Sequence, residues 1–133
     1  MTISTNDRLA IHELIALHGH LMDMGELDRM GELFTPDVVY DVTAFGRGKL
    51  IGPAAISAAA REVGDRNPVA HHVTNIHVAE DSDGTVRVRS KGIGVNVDGS
   101  VGSVVYEDVV RLERHGWRIA SRTIRPRRAP LRP

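Results

Sequence analysis

The sequence predicts an α+β fold in which N-terminal helices pack on one face of a curved, mainly antiparallel sheet. Two observations carry this. Apolar residues recur at helical spacing early in the chain and then, from about residue 70, at every second position. The segments of two-residue period are joined by the short turns "DSDG", "DGS" and "RHG", which suit consecutive hairpins. Helices first and strands afterwards make an α+β domain and not an alternating α/β one.

Each element has a local cause. Thr5, Asn6 and Asp7 offer N-cap oxygens to a first helix. Ile11, Leu14, Ile15, Leu21 and Met22 form one apolar stripe on it, and His18 lies on that stripe. Gly25 ends the helix, since glycine readily takes a left-handed cap. A short second helix covers roughly Leu27 to Phe34 and closes at Thr35-Pro36-Asp37. "VVYDV", residues 38–42, is β-branched and aromatic and predicts a strand. Residues 43–52 contain three glycines and read as a loop. Pro53 suits the first turn of a third helix, "PAAISAAAREVG", which Gly64 ends. Four strands follow: "VAHHVTNIHVAED", "TVRVRSKGIGVNV", "VGSVVYEDVVRLE" and "WRIASRTI". One domain therefore spans residues 1–124. The remainder, "RPRRAPLRP", residues 125–133, has four arginines and three prolines and reads as a solvated basic tail.

The totals exclude several function classes. The chain has 133 residues, 41% hydrophobic and 26% charged, which is ordinary for one globular domain. It has no cysteine, so disulfides, thiolate zinc sites and a cysteine nucleophile are ruled out. Its formal net charge is zero, so no overall field draws in nucleic acid or a membrane surface. No basic start precedes an apolar run, and no apolar stretch nears the ~20 residues of a membrane helix; a soluble cytoplasmic protein is expected. There is neither a G-x-S-x-G elbow nor a GxGxxG fingerprint after a strand, which disfavours elbow-type hydrolysis and nicotinamide or flavin chemistry.

"AHHVTN", residues 70–75, sets two histidines side by side. Side chains alternate across a strand, so His71, Val73, Asn75 and His77 share one face, and His72 points to the other. Adjacent histidines on opposite faces cannot bind one metal ion, and His18 and His20 also diverge on their helix; no metal site is expected. What remains is a single polar histidine facing the helices. Asp23, in the last turn of the first helix beside the apolar stripe, is the carboxylate that could meet it. An anion at a helix C-terminus is electrostatically unfavourable, which argues against a merely stabilising role there.

The pieces "LMDMGELDRMGELFTPDVVYDV", "IGPAAI", "HHVTN", "GSVVYED" and "HGWRIASR", in this order and spacing, resemble the SnoaL-like branch of the NTF2-like superfamily over about residues 6–123. The resemblance implies a cone-shaped curved antiparallel sheet with the N-terminal helices on its concave face. Within the superfamily the chain is most similar to the scytalone dehydratase and hexachlorocyclohexane dehydrochlorinase types, which use a His–Asp dyad without metal or organic cofactor. The resemblance places the dyad at Asp23 and His71. It matches a tyrosine of the dehydratase to Tyr40 and an arginine of the dehydrochlorinase to Arg122. It also marks departures. The dehydrochlorinase has lysine where His18 aligns, the dehydratase's second histidine has no counterpart in "SKGIGVNV", and strict alternation puts Arg122 opposite Trp117 and Ile119 unless a bulge intervenes.

The implied chemistry is a cofactor-independent lyase or isomerase acting on a small hydrophobic, cyclic substrate. His71 would be the base, Asp23 its orienting carboxylate and Tyr40 a hydrogen-bond donor. Tyr106, on an inward phase with Val104, Val110 and Leu112, would line the pocket together with His18 and Arg122. Asp108 shares the phase and is either a second acid or, the favoured reading, a structural partner of Arg122 or of a backbone amide; Trp117 reads as core, and His72 and His77 as surface or interface. Two alternatives stand beside this: a non-catalytic ligand-binding or assembly module, and a SnoaL-type polyketide cyclase. Apolar residues on both faces of "SVVYEDVVRL" predict a homodimer or higher homo-oligomer formed through the sheet.

Overall fold

Ser4 starts the first helix, α1 (Thr5–Asp23), in the computed structural model, which describes residues 2–132. Its hydroxyl accepts from the Asp7 backbone N–H at 3.0 Å, and the Asp7 carboxylate accepts from the Ser4 N–H at 3.0 Å. This is a reciprocal capping box, so the cap lies just before the expected Thr5-Asn6-Asp7, and Asp7 is its third helical residue. Asp7 also accepts from the indole of Trp117 at 3.1 Å, tying the start of the helix to the last strand. Ile11, Leu14, Ile15, His18, Gly19 and Leu21 form the buried face of α1.

Leu27–Glu32 is a 3₁₀ helix, and Phe34 already belongs to β1 (Phe34–Asp41), which begins before the expected residue 38. Tertiary pairing decides this. Phe34 lies beside Ile119, and the register then slips between Phe34 and Val39, where Pro36 can sit without breaking a regular ladder. The glycine-rich loop holds a 3₁₀ turn, Thr43–Phe45, and a short strand, β2 (Lys49–Ile51), antiparallel to β1. Helix α2 (Pro53–Val63) begins on its proline and ends at Gly64, as the sequence predicts.

The four-strand meander is β3 (Ala70–Glu80), β4 (Val86–Val95), β5 (Val101–Glu113) and β6 (Gly116–Arg127). It extends into one six-stranded curved sheet of order β2-β1-β6-β5-β4-β3, antiparallel except where β1 runs parallel to β6. The architecture is the expected α+β one. The core lies between the helices and the sheet and includes Ile11, Ile15, Phe34, Val38, Val88 and Ile119. Among the described residues no helix is long and apolar enough to cross a membrane.

Two bulges change which side chains point inward. In β3 the pairing with β4 shifts between Thr74 and His77, and Asn75 sits there at φ +55°, a left-handed conformation that asparagine tolerates. The parity reverses: His71 and Val73 face inward, then Ile76 and Val78 do, while Asn75 and His77 are exposed. The expectation that Asn75 and His77 share the face of His71 is therefore corrected. In β6, Val109 pairs with Ser121 and Val110 with Ile119, leaving Ala120 as the extra residue. Arg122 thereby joins Trp117 and Ile119 on the buried side. Leu112, expected inward, is 52% exposed at the end of β5.

The sheet does not stop at residue 124, where the tail was expected to begin. Arg125, Pro126 and Arg127 continue β6 opposite Val105, Val104 and Ser103. Pairing with β1 ends at Asp41 and Thr123, so Pro126 has no partner on that side and its missing N–H costs nothing there. Arg125 adds an ion pair with Glu107 at 3.0 Å. Pro133, the last tail residue, lies outside the described residues.

Candidate active site

Gly19 decides how α1 meets the sheet. A methyl group at this position would overlap the carbonyl oxygen of His71, so only glycine lets β3 press this closely on the helix. Asp23 is one turn further along the same side of α1. Its carboxylate takes the His71 backbone N–H on both oxygens, at 3.1 and 3.0 Å, and stands 2.6 Å from His71 Nδ1. A carboxylate accepts here, so Nδ1 is the ring nitrogen that donates to Asp23, and Nε2 is the one Asp23 does not engage. Both side chains are about one-fifth exposed.

His71 opens onto a cavity of about 380 Å³ between the helices and the sheet. His18, Tyr40 and Tyr106 share its wall. The cavity exists at this end of the sheet because the inward positions are small there. Gly94 pairs with Gly102, and both line it. Gly92, two residues earlier, leaves room for the Tyr106 ring, which a methyl group would strike. Apolar side chains of α2 and β2, including Ile56, Val63 and Leu50, close the opposite side.

His18 stands edge-on to three rings, with centroids 6.1 Å from Phe34, 6.2 Å from His71 and 6.3 Å from Tyr106. It is 4% exposed, and its Nε2 has no hydrogen-bond partner. Burial pushes its imidazole well below the ordinary histidine range, and the Arg122 guanidinium and the neighbouring His71 ring act in the same direction. His18 is thus a neutral imidazole. Burial likewise raises the phenols of Tyr40 and Tyr106, keeping both protonated as donors.

Arg122 is placed differently from the other expected site residues. Asp108, directly opposite on β5, accepts from its Nε at 2.7 Å and its Nη2 at 2.8 Å. Both residues are buried, at 1% and 3% exposure. Burial opposes the guanidinium's charge, but Asp108's charge and hydrogen bonds more than offset it, and Arg122 stays cationic. Its guanidinium lies 4.3 Å from the centroid of the Tyr106 ring, a cation–π contact that supports the tyrosine from behind. Asp108 therefore has the structural role its phase suggested. Trp117 is buried in the core, and His72 and His77 are exposed, as read from the sequence.

The structure thus brings His18, Tyr40, His71 and Tyr106 to one cavity, with Asp23 behind His71 and Arg122 behind Tyr106. Among the described residues no group of three histidines or carboxylates comes together that could hold a metal ion. Sequence reasoning missed the outer wall, formed by Phe45, Arg47, Leu50, Asn67, Pro68 and Asn96. These stand mostly in loops without periodicity, and the only local signal was the glycine-rich 43–52 segment, since exposed loops often carry binding residues.

The SnoaL-like domain family matches residues 4–123 of this chain. No match was found among curated proteins. Several solved structures are similar. An NTF2-like protein with a cystatin-like fold from Novosphingobium aromaticivorans is 30% identical, with 90% of this chain and 80% of that one covered and a TM-score of 0.73. A protein from Catenulispora acidiphila, solved in complex with S-DNPA, is 28% identical, with 92% and 95% covered and a TM-score of 0.75. ActVI-ORFA from Streptomyces coelicolor shares the fold at 17% identity, with 95% and 98% covered and a TM-score of 0.77.

Proposed function

Starting from the chain's membership of the SnoaL-like domain family, we propose that it is a cofactor-independent lyase or isomerase. It removes a proton from a carbon of a small, hydrophobic, cyclic substrate. The observation that carries this reading is the 2.6 Å contact between His71 Nδ1 and Asp23, with His71 on the wall of an apolar cavity. Nε2 of His71 takes the proton, and the Asp23 carboxylate stabilises the imidazolium that results. Negative charge left on the substrate, as an enolate oxygen or a departing group, accepts a hydrogen bond from Tyr40. His18 lines the same cavity, and its buried Nε2 has no hydrogen-bond partner within the protein. In the polyketide-cyclase alternative the acid–base chemistry centres on an aspartate and the substrate is a large aromatic, whose carbanion attacks a carbonyl of the same molecule instead of expelling a group.

The test follows exchange of α-protons of cyclic ketones such as 1-tetralone in D₂O by NMR. The wild-type protein is expected to accelerate exchange and His71→Ala to return it to the buffer rate. Equal exchange with wild type and His71→Ala across a panel of such ketones would overturn the reading. A binding module is the second reading, favoured by the Catenulispora acidiphila relative that holds S-DNPA. It predicts saturable binding of aromatic ketones with no exchange at all. We further propose that copies of the chain associate through the outer face of the sheet, where Ile93, Val105 and Val109 leave apolar surface. Sedimentation at micromolar concentration should show a dimer or larger assembly, and a monomer alone would refute it.

A further inference from the structure

The cavity wall carries one fixed charge. Of its lining residues only Arg47 is an arginine, lysine, aspartate or glutamate. It stands in the turn between β1 and β2, next to Phe45, at the outer edge of the cavity. The other arginine near the site, Arg122, is held on two nitrogens by Asp108 and is not part of this wall. The two asparagines of the same wall already have partners. The Asn67 amide donates to the carbonyls of Ala60 and Gly64, each at 2.9 Å, and the Asn96 amide donates to Ser100 at 3.1 Å. Among the described residues the Arg47 guanidinium makes one hydrogen bond, from Nη1 to Glu62 at 3.2 Å. Glu62 is 71% exposed and Arg47 is 33% exposed. Among the described residues nothing else accepts from the guanidinium, so most of its donor fork is open.

An exposed single-contact pair of this kind contributes little and exchanges easily. A guanidinium with free parallel N–H groups is suited to a carboxylate, which it can bind on both oxygens. The arrangement has a direction: apolar walls and His71 inside, one cation at the edge. A substrate with a hydrophobic ring and an acid group would bury the ring and keep its charge at the rim, where it remains partly hydrated.

Building on the cavity as the substrate site, we propose that Arg47 is a specificity residue that binds the carboxylate of an acidic, cyclic, hydrophobic substrate, displacing Glu62. The selection operates in binding and is independent of the proton transfer at His71. Fixing the acid end also fixes which end of the ring system reaches the base.

The test uses two probes of nearly equal shape, 2-naphthoate and 2-naphthamide, titrated calorimetrically into the full chain. The wild-type protein should bind the acid at least about tenfold more tightly than the amide, with the difference shrinking as salt is raised. Arg47→Met should remove the difference while leaving amide affinity within about twofold, and Arg47→Lys should keep part of it. Glu62→Gln should strengthen acid binding alone, a change that a purely structural ion pair would not produce. His71→Ala should retain the preference. Equal binding of both probes by wild type, binding of neither, or a preference that survives Arg47→Met would overturn the proposal. The two readings fail separately: absence of ketone exchange leaves the acid preference standing, and loss of the preference leaves exchange of neutral ketones untouched.

Discussion

At the residue scale the site joins one hydrogen-bonded pair, His71 and Asp23, to a buried imidazole, His18, whose protonation is opposed by its surroundings. His71 and Asp23 form a single unit, because Asp23 fixes both the backbone N–H and the ring of His71. On the proposed reading, in which the Asp23 charge stabilises a His71 imidazolium, Asp23→Asn keeps the shape but removes that charge, and exchange should fall by about 10²–10⁴-fold. The double variant should be little worse than His71→Ala alone, since members of a catalytic unit are non-additive; additive losses would refute the dyad. His18 behaves in the opposite sense to a charged partner. Burial depresses its folded-state value, so below the ordinary 6.5 the unfolded chain takes up a proton that the folded chain refuses. Its contribution is full above that pH and is lost as pH falls, by up to about 1.4 kcal/mol per unit. Urea midpoints should therefore drop less between pH 7.5 and 5.5 in His18→Gln than in wild type. Asp108→Ala leaves the Arg122 charge buried without a counterion and should cost about 3–5 kcal/mol in urea unfolding.

At the element scale, the dyad depends on the seam between α1 and β3. Gly19 allows the approach, and Asp23 one turn later reaches the strand backbone. Gly19→Ala is instructive because the two local effects oppose each other. Alanine favours the helix by up to about 1 kcal/mol, yet the added methyl overlaps His71 and overpacking costs about 1–3 kcal/mol. The expected net result is a modest loss of stability with a larger loss of exchange, since β3 must move off Asp23. Unchanged exchange in Gly19→Ala would show that the seam is not what sets the dyad. Bulges do comparable work in the strands. Ala120 turns Arg122 inward under Tyr106, and Asn75 turns His77 outward. Deleting Ala120 would return Arg122 to the solvent side and separate it from Asp108.

At the scale of the whole molecule, the chain builds a dry core at one end of the cone and a cavity at the other. The difference lies in β4 and β5, where inward valines give way to Gly92, Gly94 and Gly102. The C-terminal segment belongs to this outline as far as Arg127. Truncation after Ile124 removes three residues paired with β5 and should lower the melting temperature by at least about 5 °C. Truncation after Arg127 should leave it nearly unchanged, as expected of an exposed end. Equal melting temperatures for the two truncated forms would show that the last stretch of β6 adds nothing.

Periodicity and punctuation in the sequence by themselves determined the order of helices and strands, the hairpin turns, the apolar stripe of α1 and the end of α2 at Gly64. These depend on neighbours within a few residues, which is where sequence patterns act. The placing of Asp23 beside His71 was also legible, through the resemblance and the strand phase of His71. Other features were decided only by tertiary structure. The parallel pairing of β1 with β6 joins segments far apart in the chain. β2 is a strand only because β1 lies next to it, and β6 runs past Ile124 only because β5 does. Strict alternation failed at Asn75 and Ala120, because a bulge is a property of two strands in register and one strand cannot show it. The asparagine hinted at its bulge; the alanine carried no signal. The open guanidinium of Arg47 was invisible for the same reason, since its setting depends on α2, β2 and the small inner residues of β4 and β5 meeting around an empty volume.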